Sequence, residues 1–292
     1  MNRNEQQASL ISRRLLLQGL ALAPACALLP AQATGKVVRI GLTPVFLDDQ
    51  ISFTTRWRTW FESRLGQPVS FVQRGNYREI IDQLLAGKID YAWLCGYPYV
   101  RHQKELRLVA VPVWQSQPLY QSYLITSTQA PHIKNLQDLR NRIFAYSDPD
   151  SNSGYLYPQF KLRSAGENPS SFFSRTFFTW AHRTVVQAVS DGLADGGAVD
   201  GYVWEMLAKY RPESVKGTRI IDKSPMLGFP PVVARATLPA GEIKRMRAAL
   251  IDMAVDGQGS ELLEKLGLEG FMPGDPALYE GIARMVRLVH RA

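Results

Sequence analysis

Asp148-Pro149-Asp150-Ser151-Asn152-Ser153-Gly154-Tyr155-Leu156-Tyr157-Pro158 is the stretch on which the reading of this chain turns. It follows residues 142–147 (RIFAYS), an apolar run that predicts a short buried strand. It precedes residues 159–165 (QFKLRSA), which can continue as a helix. A strand, a tight polar turn and a helix start make an anion seat in outline. The first helical turn leaves backbone N–H groups without partners, and the helix dipole puts partial positive charge there. Ser151, Asn152 and Ser153 add short side-chain donors, and Gly154 removes a Cβ that would obstruct close approach. The same composition also fits an ordinary N-cap, with Asp150 or Ser151 capping and nothing bound.

Working outward, strand-like and helix-like segments alternate on both sides of the turn. Residues 37–42 (VVRIGL) read as a strand, and residues 53–65 (FTTRWRTWFESRL) as a helix. In that helix Trp57, Trp60, Phe61 and Leu65 share one face, a stripe that predicts core rather than a ligand platform. Residues 69–72, 89–94, 106–114 and 120–127 read as further strands, and 77–86 as a helix closed by Gly87. Beyond the turn, strands are expected at 175–180, 198–202, 219–222 and 232–237. Helices are expected at 184–193, from 204, and over about 240–257 and 276–289. This order predicts an α/β protein of two lobes, each a mostly parallel sheet flanked by helices. Ligands of such sheets gather beyond the carboxyl ends of the strands, where residues 44–46 and 95–99 lie.

Composition narrows the function classes. The 292 residues carry a formal charge of +8, with 21% charged and 46% hydrophobic residues, which is ordinary for a folded chain. No Lys/Arg block with interleaved aromatics stands out, so a nucleic-acid partner is not expected. At the N-terminus, Arg13-Arg14 leads into residues 15–29 (LLLQGLALAPACALL), followed by Ala31-Gln32-Ala33. A charged region, an apolar region and an A-x-A exit predict a cleaved signal peptide over residues 1–33, and the arginine pair resembles a twin-arginine export signal. Cleavage after Ala33 removes three arginines and one glutamate, which takes +8 to +6. It also removes Cys26, whose surroundings fit a lipoprotein cysteine poorly. Cys95 is then the only cysteine, so no internal disulfide is available.

The sequence DPDSNSGYLYP resembles the D-P-x-S-x-S-G-x-L-x-P signature of periplasmic phosphate-, phosphite- and phosphonate-binding proteins, the solute receptors of ABC importers. Residues 36–44 (KVVRIGLTP), 85–100 (LAGKIDYAWLCGYPYV) and 179–205, with WAHRTVVQAVSDGLADGGAVDGYVWE, resemble the same family in the same order. The likeness therefore runs through most of the chain after residue 35. Asn152 departs from the family's usual threonine, and Arg183 stands where an aspartate often follows the histidine.

The resemblance implies a type II periplasmic-binding-protein architecture. One lobe would comprise residues 36–125 and 226–292, with a second, 126–225, inserted into it and the ligand held between them. It implies that Ser151, Asn152, Ser153 and Gly154 hold an oxyanion and that His182 contacts it. Tyr99, Tyr97 and Phe46 would line the walls, and Asp200 would meet an amino group where the ligand has one. Cys95, at a strand end facing the cleft, is either a buried structural residue or a thiol ligand for a soft species. The implied protein is a periplasmic, monomeric carrier of a small phosphorus oxyanion for an ABC permease in the inner membrane. It needs no cofactor and no metal. A sensor subunit signalling to a membrane kinase is the alternative, since both roles need the same lobes. An enzyme is not expected: no G-x-S-x-G surrounds Ser153, and the four histidines show no metal spacing.

Overall fold

The computed structural model describes residues 36–43 and 51–290. The expected signal peptide over residues 1–33, with Arg13, Arg14, Cys26 and Ala33, lies outside the described residues. Two mixed sheets dominate. The first holds β1 (Val38–Leu42), β2 (Val69–Gln73), β3 (Tyr91–Trp93), β4 (Leu106–Val113), β12 (Val232–Arg235) and β13 (Gly270–Pro273), in the order β13-β4-β12-β3-β1-β2. The second holds β6 (Ser122–Ser127), β7 (Ile143–Tyr146), β8 (Arg175–Phe178), β9 (Gly196–Asp200) and β10 (Thr218–Lys223), in the order β10-β6-β9-β7-β8. A two-stranded ribbon pairs β5 (Leu119–Tyr120) with β11 (Leu227–Gly228). The five strands of the second sheet are thus one continuous excursion between β4 and β12, and the ribbon joins the outgoing chain to the returning one.

Each large sheet is mixed, with most of its strands running one way. In the first, β1 runs parallel to β2 and β3, while β12 and β13 return antiparallel. In the second, β7 is parallel to β8 and β9, and β6 alone runs the other way, pairing antiparallel with both β9 and β10. The parallel pairs are those joined by helical crossovers, and the strand first entered after each passage between the sheets, β6 outgoing and β12 returning, runs the other way. The single strand expected over 120–127 is divided at Gln121. Tyr120 pairs with Leu227, whereas Ser122 pairs with Asp200. All of β6, residues 122–125 included, therefore belongs to the second sheet.

The core follows the sequence pattern. The helix Ile51–Leu65 buries Phe53, Trp57, Trp60 and Phe61. Trp57 packs 5.1 Å from Phe71 and 6.0 Å, edge-on, from Trp93. Next, Asn76 caps the helix Tyr77–Leu85 by accepting the Glu79 amide at 2.9 Å. That cap fixes Tyr77 as the first helical residue, with its own amide free to face another part of the chain. Among the described residues no helix is long and apolar enough to cross a membrane.

Candidate functional site

The expected serine turn lies at the carboxyl end of β7 and is wholly buried, with Ser151, Asn152 and Ser153 at 0% exposure. It is wound wider than an α-helix. Asn152–Leu156 forms a π turn in which the Leu156 amide donates to Ser151 O and the Tyr157 amide to Asn152 O, before the α-helix Tyr157–Ser164 begins. Such single-turn widenings recur at functional sites because they splay backbone and side chains outward. Ser151 serves as the N-cap, its Oγ accepting the Gly154 amide at 2.9 Å. Gly154 has no room for a side chain: a Cβ there would collide with Ser147 Oγ and lie 3.1 Å from His182 Cε1.

Three elements from the first sheet close over this turn. The Tyr77 amide donates to Asp148 Oδ2 at 3.0 Å, and Arg78 and Arg101 both bind Asp150 Oδ1, at 3.0 and 3.1 Å. Cys95 ends the segment after β3, and its Sγ accepts the Asn152 amide at 3.1 Å. From the ribbon, the Tyr120 hydroxyl accepts from Asn152 Nδ2 at 2.8 Å. The seat is therefore assembled from both sheets and the strand that joins them.

His182 opens the helix His182–Ser190 and is 1% exposed. Its Nδ1 accepts the Asp200 amide at 3.0 Å, so the neutral ring carries its proton on Nε2, which lies 3.3 Å from the Tyr77 hydroxyl. Burial holds the imidazole down at about 3, so it stays neutral and acts as a donor. Burial likewise pushes the Cys95 thiol up to about 11 and raises the Tyr77 and Tyr120 phenols well above their ordinary value. The Asp200 carboxyl rises to about 7, again through burial, although its Oδ1 accepts the Tyr202 and Val203 amides as cap of the next helix. Among the described residues no lysine or arginine is buried. What the site offers is a set of neutral donors.

Not every expected residue joins this set. Asp200 reaches it through its backbone amide, while its carboxylate is spent on capping. Tyr97 turns away, its hydroxyl 2.8 Å from His290 Nε2 and its ring beneath Arg101. Tyr99 packs edge-on against Tyr279, 4.9 Å between ring centres. Both tyrosines sit on the short helix Gly96–Arg101 with their rings directed toward the C-terminal segment 276–290. Phe46 lies outside the described residues. Arg183 is exposed and lines a separate cavity of about 530 Å³ with Tyr202, Tyr210, Arg211 and Lys265. Glu205 accepts the Tyr123 hydroxyl at 3.0 Å. Two members of the site escaped the sequence reading, Tyr77 and Tyr120. Each looks like core in sequence, and only their contacts with His182 and Asn152, 105 and 32 residues away, identify them.

A family profile described as "ABC transporter, phosphonate, periplasmic substrate-binding protein" matches residues 40–279. The chain belongs to this family. It is 25% identical over 252 residues to the phosphonates-binding periplasmic protein of Escherichia coli, covering 83% of this chain and 74% of that one. It is 19% identical to a probable ABC transporter phosphite binding protein of Prochlorococcus marinus, covering 90% and 93%. Among solved structures, a binding protein component of an ABC phosphonate transporter from Pseudomonas aeruginosa superposes with a TM-score of 0.80 at 22% identity, covering 87% of each chain. The methylphosphonate complex of PhnD1 from Prochlorococcus marinus gives 0.78 at 19% identity, covering 88% and 99%. The fold is thus the two-lobed type II periplasmic-binding-protein fold. The role is that of a periplasmic solute-binding component working with an ABC permease.

Proposed function

We propose that this protein captures a small phosphorus oxyanion (phosphate, phosphite or a phosphonate) between its lobes and delivers it, as a monomer and without chemical turnover, to an inner-membrane ABC permease. One observation carries the reading. Ser153 Oγ is fully buried at the wall of the seat, near the Tyr120 phenol, yet has no partner at hydrogen-bonding geometry. A buried hydroxyl without a partner is costly unless a ligand completes it. Ser151, Asn152, Ser153, Gly154 and His182 form the seat in this reading, joined by Tyr77 and Tyr120. The lobes divide at the ribbon, which puts residues 122–223 in the inserted lobe. Export through the twin-arginine signal over residues 1–33, cleaved near Ala33, completes the reading and is supported by the sequence alone.

Cys95 does not favour capture of a soft, thiophilic ligand. A thiol pushed up to about 11 is protonated at neutral pH, and thiophilic species bind the thiolate. A thermal-shift panel of oxyanions tests the proposal. A ligand at about a thousand times its dissociation constant should add about 4 kcal/mol of stability. No shift with any phosphorus oxyanion would refute the reading, and a shift with arsenite alone would favour the sensor role.

A further inference from the structure

Position 150 is one that the D-P-x-S-x-S-G signature leaves open, and this chain fills it with a second carboxylate. Asp148 holds the backbone there. Its Oδ1 accepts the Asp150 amide at 2.8 Å, and its carbonyl accepts the Ser151 amide at 2.9 Å. The Asp150 side chain leaves the turn, and its Oδ1 meets Arg78 and Arg101 at 3.0 and 3.1 Å. Those arginines sit on the helices Tyr77–Leu85 and Gly96–Arg101, which follow strands of the first sheet, whereas Asp150 follows β7 of the second. The contact therefore crosses between the lobes. By contrast, Arg235–Asp90 lies within the first lobe, and Arg140–Glu167 and Lys161–Asp222 lie within the inserted one.

The partners are buried unequally. The Asp150 side chain is 4% exposed, while those of Arg78 and Arg101 are 50% and 35% exposed. Separated from the carboxylate, the arginines lose little, because water already reaches them. The carboxylate differs. Buried without a cation it is strongly disfavoured, and removing one side of such a pair costs more than removing both. It also stands one residue from Ser151, where an uncompensated negative charge would repel a bound anion. With both guanidiniums in place, the three groups sum to a single positive charge.

We infer that Arg78 and Arg101 are positioning residues for the oxyanion seat: closure of the lobes buries Asp150, and the two arginines offset that burial by arriving on Oδ1 as the first lobe comes down. They act through Asp150 and the turn it belongs to, without touching the ligand. This rests on the oxyanion reading above and adds a condition on closure. An arrangement that covers Asp150 before the guanidiniums reach it is disfavoured. The contact thus selects the closure geometry in which the first lobe also meets the serine turn, through the Tyr77 amide on Asp148 and Cys95 on the Asn152 amide. Asp150 is not itself needed for binding. It is what makes the arginines necessary.

Methylphosphonate, phosphite and phosphate serve as probes, in titration calorimetry and stopped-flow dissociation. Arg78→Gln and Arg101→Gln together should weaken whichever of them the parent binds by at least about tenfold. The loss should lie in the dissociation rate, since it is the closed state that is lost. Adding Asp150→Asn should restore affinity to within about threefold of the parent, a recovery that general damage to the two helices would not show. Glu167→Gln, which breaks an ion pair inside the inserted lobe, should change nothing. An arginine double variant that binds within about threefold of the parent, a loss that Asp150→Asn does not recover, or a loss confined to the association rate overturns the inference while the oxyanion reading stands. If the double variant does not fold, the triple variant decides alone: affinity within about threefold of the parent upholds the inference, and weaker binding overturns it. Failure of all three probes to bind the parent overturns both.

Discussion

Two strand ends meet at this site, and they are filled in opposite ways. β3 runs into Cys95 and the short helix Gly96–Arg101, whereas β7 runs into Ser147 and the π turn Asn152–Leu156. Both ends belong to parallel strands and both are buried. The β3 end is packed with tyrosines whose rings lean on the C-terminal segment, at Tyr279 and His290. The β7 end is packed with small polar groups, and behind it lie Asp148, His182 and Asp200, all nearly inaccessible. The carboxyl end of a parallel strand therefore marks where a ligand can be met, but not which side supplies the donors. In the proposed reading the inserted lobe supplies the donors. The other lobe closes over it with one sulfur, one phenol and the arginines on Asp150.

The largest asymmetry is in buried ionisable groups, and pH exposes it. His182 is held down at about 3 by burial, against about 6.5 in an unfolded chain. The unfolded state binds that proton more readily, so this group's contribution to stability is lost as pH falls from about 6.5 toward about 3. Asp200 has the opposite sign. Its carboxyl is pushed up to about 7 against about 3.9 unfolded, so its contribution is lost as pH rises from about 4 to about 7. At about 1.4 kcal/mol per pKa unit, each is on the order of 4 kcal/mol, and the two oppose over about pH 4–6.5. Asp200→Asn keeps an oxygen for the Tyr202 and Val203 amides but no longer titrates. Urea denaturation at successive pH values should show a nearly flat parent between pH 4 and 6.5 and a variant that gains several kcal/mol as pH rises. A variant as flat as the parent would show that His182 is not held neutral by its surroundings.

Each strand end also carries one glycine pressed against its neighbours. At Gly154 a Cβ would meet Ser147 and His182, and at Gly96 it would meet Ile282 and Tyr279. Alanine at either position overpacks the core, at a cost of about 1–3 kcal/mol. The effect on binding should differ. Gly154→Ala displaces the donors themselves, and losing a donor to a charged ligand, roughly 1.5–3 kcal/mol, weakens binding about ten- to a hundredfold. Gly96→Ala strains only the packing of the C-terminal helix and should leave affinity within about threefold. Thermal denaturation with calorimetry on both variants separates the two effects. Equal losses of binding would mean that the two ends act as one unit.

The same contrast explains what was legible in the sequence. The serine turn was readable because its chemistry is local: a cap, short donors and a glycine within a few residues. The core stripe of Trp57, Trp60 and Phe61 was readable from its spacing. The resemblance implies a wall role for Tyr97 and Tyr99, but the rotation of a short helix, which spacing does not encode, directs their rings to His290 and Tyr279. Tyr77 and Tyr120 were missed for the converse reason. A tyrosine at a helix start and another before an apolar strand look like packing until the chain brings their hydroxyls to His182 and Asn152. The break at Gln121 was hidden for a related reason, since residues 120–127 are uniformly strand-like and the change of partner is a tertiary event.

Removing single donors from the β7 end gives the next effect in size. Ser153→Ala deletes one donor to a charged ligand, worth roughly 1.5–3 kcal/mol, and so should weaken binding about ten- to a hundredfold by titration calorimetry. The exposed Ser170, hydrogen-bonded only to Asn168, provides a control, since Ser170→Ala should leave affinity unchanged. If Ser153→Ala binds as tightly as the parent with the fold intact, the turn is no more than a helix cap.

The smallest effect belongs to the β3 end. The Tyr97 hydroxyl and His290 Nε2 share a hydrogen bond at 2.8 Å, and Arg101 covers the Tyr97 ring while binding Asp150. Tyr97→Phe keeps the ring and the cation–π contact and deletes only that hydrogen bond. A typical intramolecular hydrogen bond contributes about 1 kcal/mol net, and His290 is exposed enough to find water in its place. The variant should therefore lose at most about 1 kcal/mol in denaturant unfolding and bind oxyanion as the parent does. Two tyrosines at a strand end in a binding protein invite the opposite expectation, that the phenol reaches the ligand. A loss of affinity in Tyr97→Phe as large as that in Ser153→Ala, with unfolding free energy unchanged, would place the phenol in the seat. The division of labour between the two strand ends would then have to be redrawn.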